Sequence, residues 1–93
     1  MEQISWTKKS FKDLKAINDY ISLDSTFYAI RFISKLISRV EQLIEFSESG
    51  RIIPEKNDPE IRELIEGNYR IFYRIKKNTI IILRIHNSSR RIK

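Results

Sequence analysis

The residues with chemical potential sit late in the chain. His86 is the single histidine, Arg84 stands two positions before it, and Arg70 and Arg74 lie on the preceding segment. Strand alternation puts Arg70, Phe72 and Arg74 on one face. On the next strand the same alternation groups Ile80, Ile82, Arg84 and His86, leaving Ile81, Leu83 and Ile85 for the core. Three guanidinium groups on one face repel unless an anion sits among them, and arginine grips phosphate through two parallel hydrogen bonds. A neutral imidazole serves as base and, once protonated, as acid. Arginine stabilises the extra negative charge of a phosphoryl transition state. With Glu55 to take a proton from a ribose 2′-hydroxyl, these residues permit a phosphodiester-cleaving site without establishing one. The plainer alternative is structural. The arginines pair with Glu55, Glu63 or Glu66 on adjacent segments, and His86 is a hydrogen-bonded surface residue at a strand end.

Composition removes most other chemistry. There is no cysteine, which excludes disulfides, thiolate nucleophiles and Cys-based zinc or iron–sulfur centres. One histidine excludes multi-histidine metal sites, and two glycines, Gly50 and Gly67, cannot build a glycine-rich phosphate loop. No cofactor and no metal are expected. The longest aliphatic run, Ile80 to Leu83, is far short of the ~20 residues that span a bilayer. No N-terminal stretch resembles a signal peptide's apolar segment. These features predict a cytoplasmic protein with no membrane contact.

The 93 residues form one domain, residues 1–93. A chain of this size buries only ~60–65% of its unfolded surface, so a partner would add stability. The 18 basic and 12 acidic side chains give a net charge of +6. Residues 1–50 are neutral overall and residues 51–69 carry −2, whereas residues 70–93 hold eight basic side chains and no acid. That asymmetry points to an anionic partner, with a merely solvated face as the alternative.

The elements that must position these residues follow from periodicity. Ile4 and Trp6 alternate with polar neighbours as a short strand. Thr7 caps a helix on which Phe11, Leu14, Ile17 and Ile21 recur at helical spacing, opposite Lys8, Lys12 and Lys15. Asp24 or Ser25 caps a second helix carrying Ala29, Ile33, Leu36, Ile37, Val40, Leu43 and Ile44 and running to about Phe46. Arg51–Pro59, with both prolines, reads as a loop. Ile61–Ile65, Tyr69–Ile75 and Thr79–His86 read as a meander joined by tight turns at Gly67-Asn68 and Lys77-Asn78. The predicted fold is α+β, in the order β-α-α-β-β-β. A helical hairpin packs on one face of a mostly antiparallel four-stranded sheet.

The segments Gly50-Arg51-Ile52-Ile53-Pro54-Glu55, Ile61-Arg62-Glu63-Leu64, Tyr69 to Ile75, and Ile82-Leu83-Arg84-Ile85-His86 resemble the RelE/ParE superfamily, toxins of bacterial type II toxin–antitoxin systems. Ile4 to Thr7, Asp13-Leu14, Tyr20-Ile21 and Asp24-Ser25 extend the likeness over nearly the whole chain. The resemblance implies a growth-inhibiting toxin held silent by a cognate antitoxin protein. Two targets are open. The Gly-Arg-x-x-Pro-Glu loop and the Arg-Glu-Leu strand look more like the ParE branch, which inhibits DNA gyrase by binding it. Glu55, Arg70 and His86 fall on positions similar to the catalytic set of the YoeB-like branch, whose members cut mRNA on the ribosome without metal. That branch has tyrosine after the histidine, whereas this chain has Asn87. Whether the protein is an enzyme therefore stays open. On either branch, Arg51, Arg62, Arg74, Arg84, Arg90 and Arg91 are the candidate anion- or partner-binding side chains.

Overall fold

The computed structural model describes residues 3–53 and 56–88. Strand β1 (Gln3–Trp6) leads into helix α1 (Lys8–Ser22), which turns back as helix α2 (Thr26–Glu41). A single 3-10 turn, Gln42–Ile44, then carries the chain to β2 (Arg51–Ile52), β3 (Ile61–Glu66), β4 (Tyr69–Lys76) and β5 (Thr79–Asn87). The sheet order is β1-β5-β4-β3-β2, with β1 parallel to β5 and the other pairs antiparallel. Five strands replace the four expected. The addition is the two-residue β2, whose Arg51 and Ile52 pair with Glu63 and Arg62 inside the segment predicted to be a loop. No helix among the described residues is long and apolar enough to cross a membrane.

Local chemistry sets the helix starts. The Thr7 side chain accepts from the Ser10 amide at 3.0 Å and the Ser25 side chain from the Tyr28 amide at 3.0 Å, each satisfying an orphan donor of the first turn. The hairpin and the 3-10 turn after it bury Ile17, Leu36, Val40 and Leu43 against Leu64, Ile71, Tyr73 and Ile80 of the sheet. Each such side chain contributes roughly 1.5–3 kcal/mol of transfer free energy.

Three predicted placements are corrected. Phe11 is 63% exposed, and Ser10 takes the buried position beside it. The Thr7 cap fixes the helix phase, so Ser10, Leu14, Ile17 and Ile21 face inward and Phe11, about 100° further round, does not. The second α-helix stops at Glu41, and Phe46 lies beyond the 3-10 turn, largely exposed. On β5 the buried set is Ile80, Ile82 and Ile85, not Ile81, Leu83 and Ile85. Between Phe72 and Tyr73 the partner on β5 jumps from Arg84 to Ile82, leaving Leu83 as the extra residue of a β-bulge. The Thr7 hydroxyl donates to the Leu83 carbonyl at 3.0 Å and the Thr7 amide to the Ile82 carbonyl at 3.1 Å. One added residue reverses the parity of the strand, and so exchanges its faces upstream of the bulge while Arg84 and His86 stay outside.

Candidate functional site

The outer face of the sheet, away from the helices, collects most of the predicted site. Arg70 and His86 are cross-strand register partners, as are Phe72 and Arg84. The Arg70 guanidinium lies 5.0 Å from the Phe72 ring centroid, and the His86 ring meets Phe72 edge-on at 5.4 Å. Arginine, aromatic ring and imidazole thus form a continuous row, as the alternation predicted.

The charges in that row are already engaged. The Glu63 side chain is fully buried between two arginines. Arg70 Nε donates to its Oε1 at 2.6 Å and Arg51 Nε to its Oε2 at 2.5 Å. Burial alone would push the Glu63 carboxyl up, but the hydrogen bonds from Arg70 and Arg51 outweigh it and hold the group below the usual carboxylate range. Arg74 donates to Glu60 at 2.9 Å and Asp58 at 3.4 Å. Arg84 reaches round the sheet edge to α1, where Nε and Nη2 donate to the two oxygens of Asp13 at 2.8 and 3.2 Å. Asp13 also accepts the Ile85 amide at 2.9 Å, beyond the point where β1 stops covering the β5 edge. Desolvation opposes ionisation of Asp13, and the Arg84 and Ile85 hydrogen bonds overcome it, so its carboxyl too is lowered.

Arg62 behaves differently. Its Nη1 donates to the carbonyls of Glu48 and Gly50 at 3.2 and 2.9 Å, and its buried Nε has no partner. It thus ties down the loop before β2. The same loop is held by Tyr73, whose hydroxyl donates to the Ser47 carbonyl at 2.8 Å and accepts the Gly50 amide at 2.9 Å. A Cβ at Gly50 would lie 2.5 Å from that hydroxyl and 2.7 Å from the Glu63 carbonyl, so only glycine fits. Glu55, Arg90 and Arg91 lie outside the described residues. Among the described residues no group of His, Asp or Glu could hold a metal ion.

A second surface emerges on the helix side. Three hollows of about 330, 430 and 390 Å³ run into one another across the turn end of the hairpin. The first two share Tyr20, Tyr69 and Asn87, and the last two share Tyr28, Phe32 and Gly67. The result is one groove floored by Phe32 and Tyr69, whose rings tilt together at 5.4 Å, and walled by the half-exposed Tyr20 and Tyr28. Gly67 keeps the β3–β4 turn tight beside Phe32. Its φ of +58° suits glycine, and the nearest side-chain atom to a Cβ there is on the Phe32 ring. Asp13 lies at one end of the groove; Arg31, Lys35 and Glu66 lie at the other. Sequence periodicity missed this surface because its residues come from five elements, but the concentration of tyrosine near the hairpin turn was a readable sign.

Comparison with known proteins agrees with this architecture. A family model described as the ParE toxin of the type II toxin–antitoxin system parDE matches residues 4–92. Toxin RelE2 of Caulobacter vibrioides is 33% identical over 91 residues, covering 97% of this chain and 99% of that one. A solved structure of a chromosomal ParDE toxin–antitoxin system from P. aeruginosa superposes with a TM-score of 0.77 at 30% identity, over 94% of this chain and 96% of that one. A sheet clamped by its own arginines, a capped helical hairpin and a family match from the first strand to the last residues converge: the chain belongs to the ParE toxin family of type II toxin–antitoxin systems.

Proposed function

We propose that this toxin inhibits DNA gyrase by binding it, and that its cognate antitoxin silences it by laying a segment into the aromatic groove. The observation that carries the target is the state of the outer-face arginines. Arg51, Arg70, Arg74 and Arg84 are each paired with a carboxylate of the same chain, so none stands ready to grip a scissile phosphate. A protein that works by binding needs no such grip. Exposed aromatic side chains beside a preformed hollow are what a protein partner covers. A toxin that acts on gyrase works in the cytoplasm.

The test is a pair of reactions with the purified chain. Gyrase supercoiling of relaxed plasmid should fail, and cleaved plasmid should accumulate, while mRNA on translating ribosomes stays intact. Intact supercoiling with cut mRNA would overturn the reading. A second reading, a metal-independent endoribonuclease using Arg70, His86 and Glu55, draws support from the Arg70–His86 register pairing and the Phe72 stack between them. Asn87, which cannot transfer a proton as a phenol does, stands against it. Substituting His86→Ala separates the two, since growth inhibition survives that change only in a gyrase-binding toxin.

A further inference from the structure

The groove is electrically lopsided. At its α1 end, Asp13 accepts from Arg84 and from the Ile85 amide, and the local charge is balanced. At its α2 end, Glu66 faces two cations at once, Lys35 Nζ at 3.3 Å and Arg39 Nε at 3.2 Å. Arg31 lines the same hollow with no carboxylate paired to it among the described residues. Its guanidinium instead sits 5.8 Å from the Phe27 ring centroid. At this end the cations Arg31, Lys35 and Arg39 thus outnumber the one carboxylate, Glu66, and the two that line the hollow, Arg31 and Lys35, are exposed. The Glu66 side chain is only 12% exposed, and its two oxygens are already engaged, one by Lys35 and one by Arg39.

We infer that the groove takes an antitoxin segment in one direction only. Apolar side chains lie along Tyr20, Tyr28, Phe32 and Tyr69, and a carboxylate sits at the Arg31–Lys35 end. The assignment rests on the antitoxin using the groove as its seat. Apolar contact supplies most of the affinity, and the charge fixes direction and excludes antitoxins that place a basic residue there. An acidic group arriving at this end answers part of the two positive charges that the toxin alone leaves in excess. A basic group would meet three like charges.

The experiment compares three toxins for binding the cognate antitoxin: wild type, Tyr28→Ala, and the double variant Arg31→Gln/Lys35→Gln. Dissociation constants are measured at two salt concentrations, after circular dichroism has confirmed the fold. Neutral glutamine avoids setting a new carboxylate against Glu66. The double variant should bind about tenfold more weakly at low salt and lose most of the wild type's salt dependence. Tyr28→Ala should also weaken binding while keeping that salt dependence. If Tyr28→Ala weakens binding and the double variant does not, the groove stands and its direction is wrong. If neither variant weakens binding, both the seat and the direction fall. If only the double variant weakens it, the acidic contact stands and the aromatic wall is discarded. Should the double variant unfold, Arg31→Gln alone carries the test, because among the described residues Arg31 pairs with no carboxylate whose loss could disturb the fold.

Discussion

The outer face of the sheet and the groove on its helix side look alike in composition and behave as opposites. Both combine aromatic rings with arginine or lysine. On the outer face every described arginine of the predicted phosphate grip ends on a carboxylate, and the central one, Glu63, has been drawn out of solvent altogether. In the groove Tyr20 and Tyr28 are half-exposed, and at the α2 end cations outnumber carboxylates. A charged cluster that is internally complete holds the fold together. A surface that is internally incomplete is available to a partner. The difference lies in the pairing rather than in the residue types, and pairing is a tertiary property.

The largest effect should come from Glu63. Replacing it with glutamine removes the charge that holds Arg51 and Arg70 and leaves two guanidinium groups facing an amide in a buried position. Breaking a buried pair costs about 3 kcal/mol, which in a domain of this size lowers Tm by roughly 12 °C or more. Thermal unfolding followed by circular dichroism measures it. A shift of a degree or two would mean that the outer face is solvated rather than locked, and the contrast with the groove would fail. The same logic sets the pH dependence. Asp13 and Glu63 titrate lower folded than unfolded. The stability they supply is complete above the ordinary carboxylate range and drains away as pH falls through and below it. The urea midpoint should therefore fall between pH 6 and pH 3, and Glu63→Gln should flatten that fall.

Next in size are the contacts that hold the loop before β2. Gly50→Ala drives a methyl group into the Tyr73 hydroxyl and the Glu63 carbonyl, at a cost of about 1–3 kcal/mol. Tyr73→Phe removes two hydrogen bonds, with the Gly50 amide and the Ser47 carbonyl, and costs about 1–2 kcal/mol. Both hold contacts internal to the fold rather than a docking surface, and urea denaturation at neutral pH ranks them. The groove should respond in the opposite sense. Tyr20→Ala combined with Tyr28→Ala should move stability by no more than about 0.5 kcal/mol, because both rings are more than half exposed. Antitoxin affinity should nonetheless drop tenfold or more if either ring is an anchor. Calorimetric titration against the antitoxin, beside a melting curve, shows whether the two properties separate.

What was legible in the sequence is what nearby residues determine. Thr7 and Ser25 cap their helices through bonds spanning three residues, and the turns at Gly67 and Asn78 carry the left-handed backbone that their residue types favour. The pairing of Arg70 with Glu63 was among the partners foreseen, since both lie on neighbouring strands. The pairing of Arg84 with Asp13 was not, because it joins residues 71 positions apart across a sheet edge. The bulge at Leu83 was hidden for a similar reason. A run of four aliphatic residues reads the same in either parity, and the choice is made by Thr7 from the far end of the chain. Strand β2 escaped notice because two residues beside a proline have no period. The groove escaped because Tyr20, Tyr28, Phe32 and Tyr69 sit on three elements whose packing no local pattern encodes.

The smallest effect should come from charges that belong to neither region. Lys8, Lys9, Lys12 and Lys15 are exposed on α1, with no ion pair among the described residues. Lys8 and Lys9 also sit in the first turn, which holds no acidic residue. The partial positive charge of a helix N-terminus opposes cations there. If pairing decides which charges stabilise this fold, neutralising unpaired ones should cost nothing. Lys8→Gln combined with Lys9→Gln should then raise Tm slightly, by about 1–3 °C at low salt, with the gain shrinking as salt screens the dipole. A fall in Tm would show that these lysines have partners in solution that matter to the fold, and the line between completed and incomplete charge would have to be redrawn along α1.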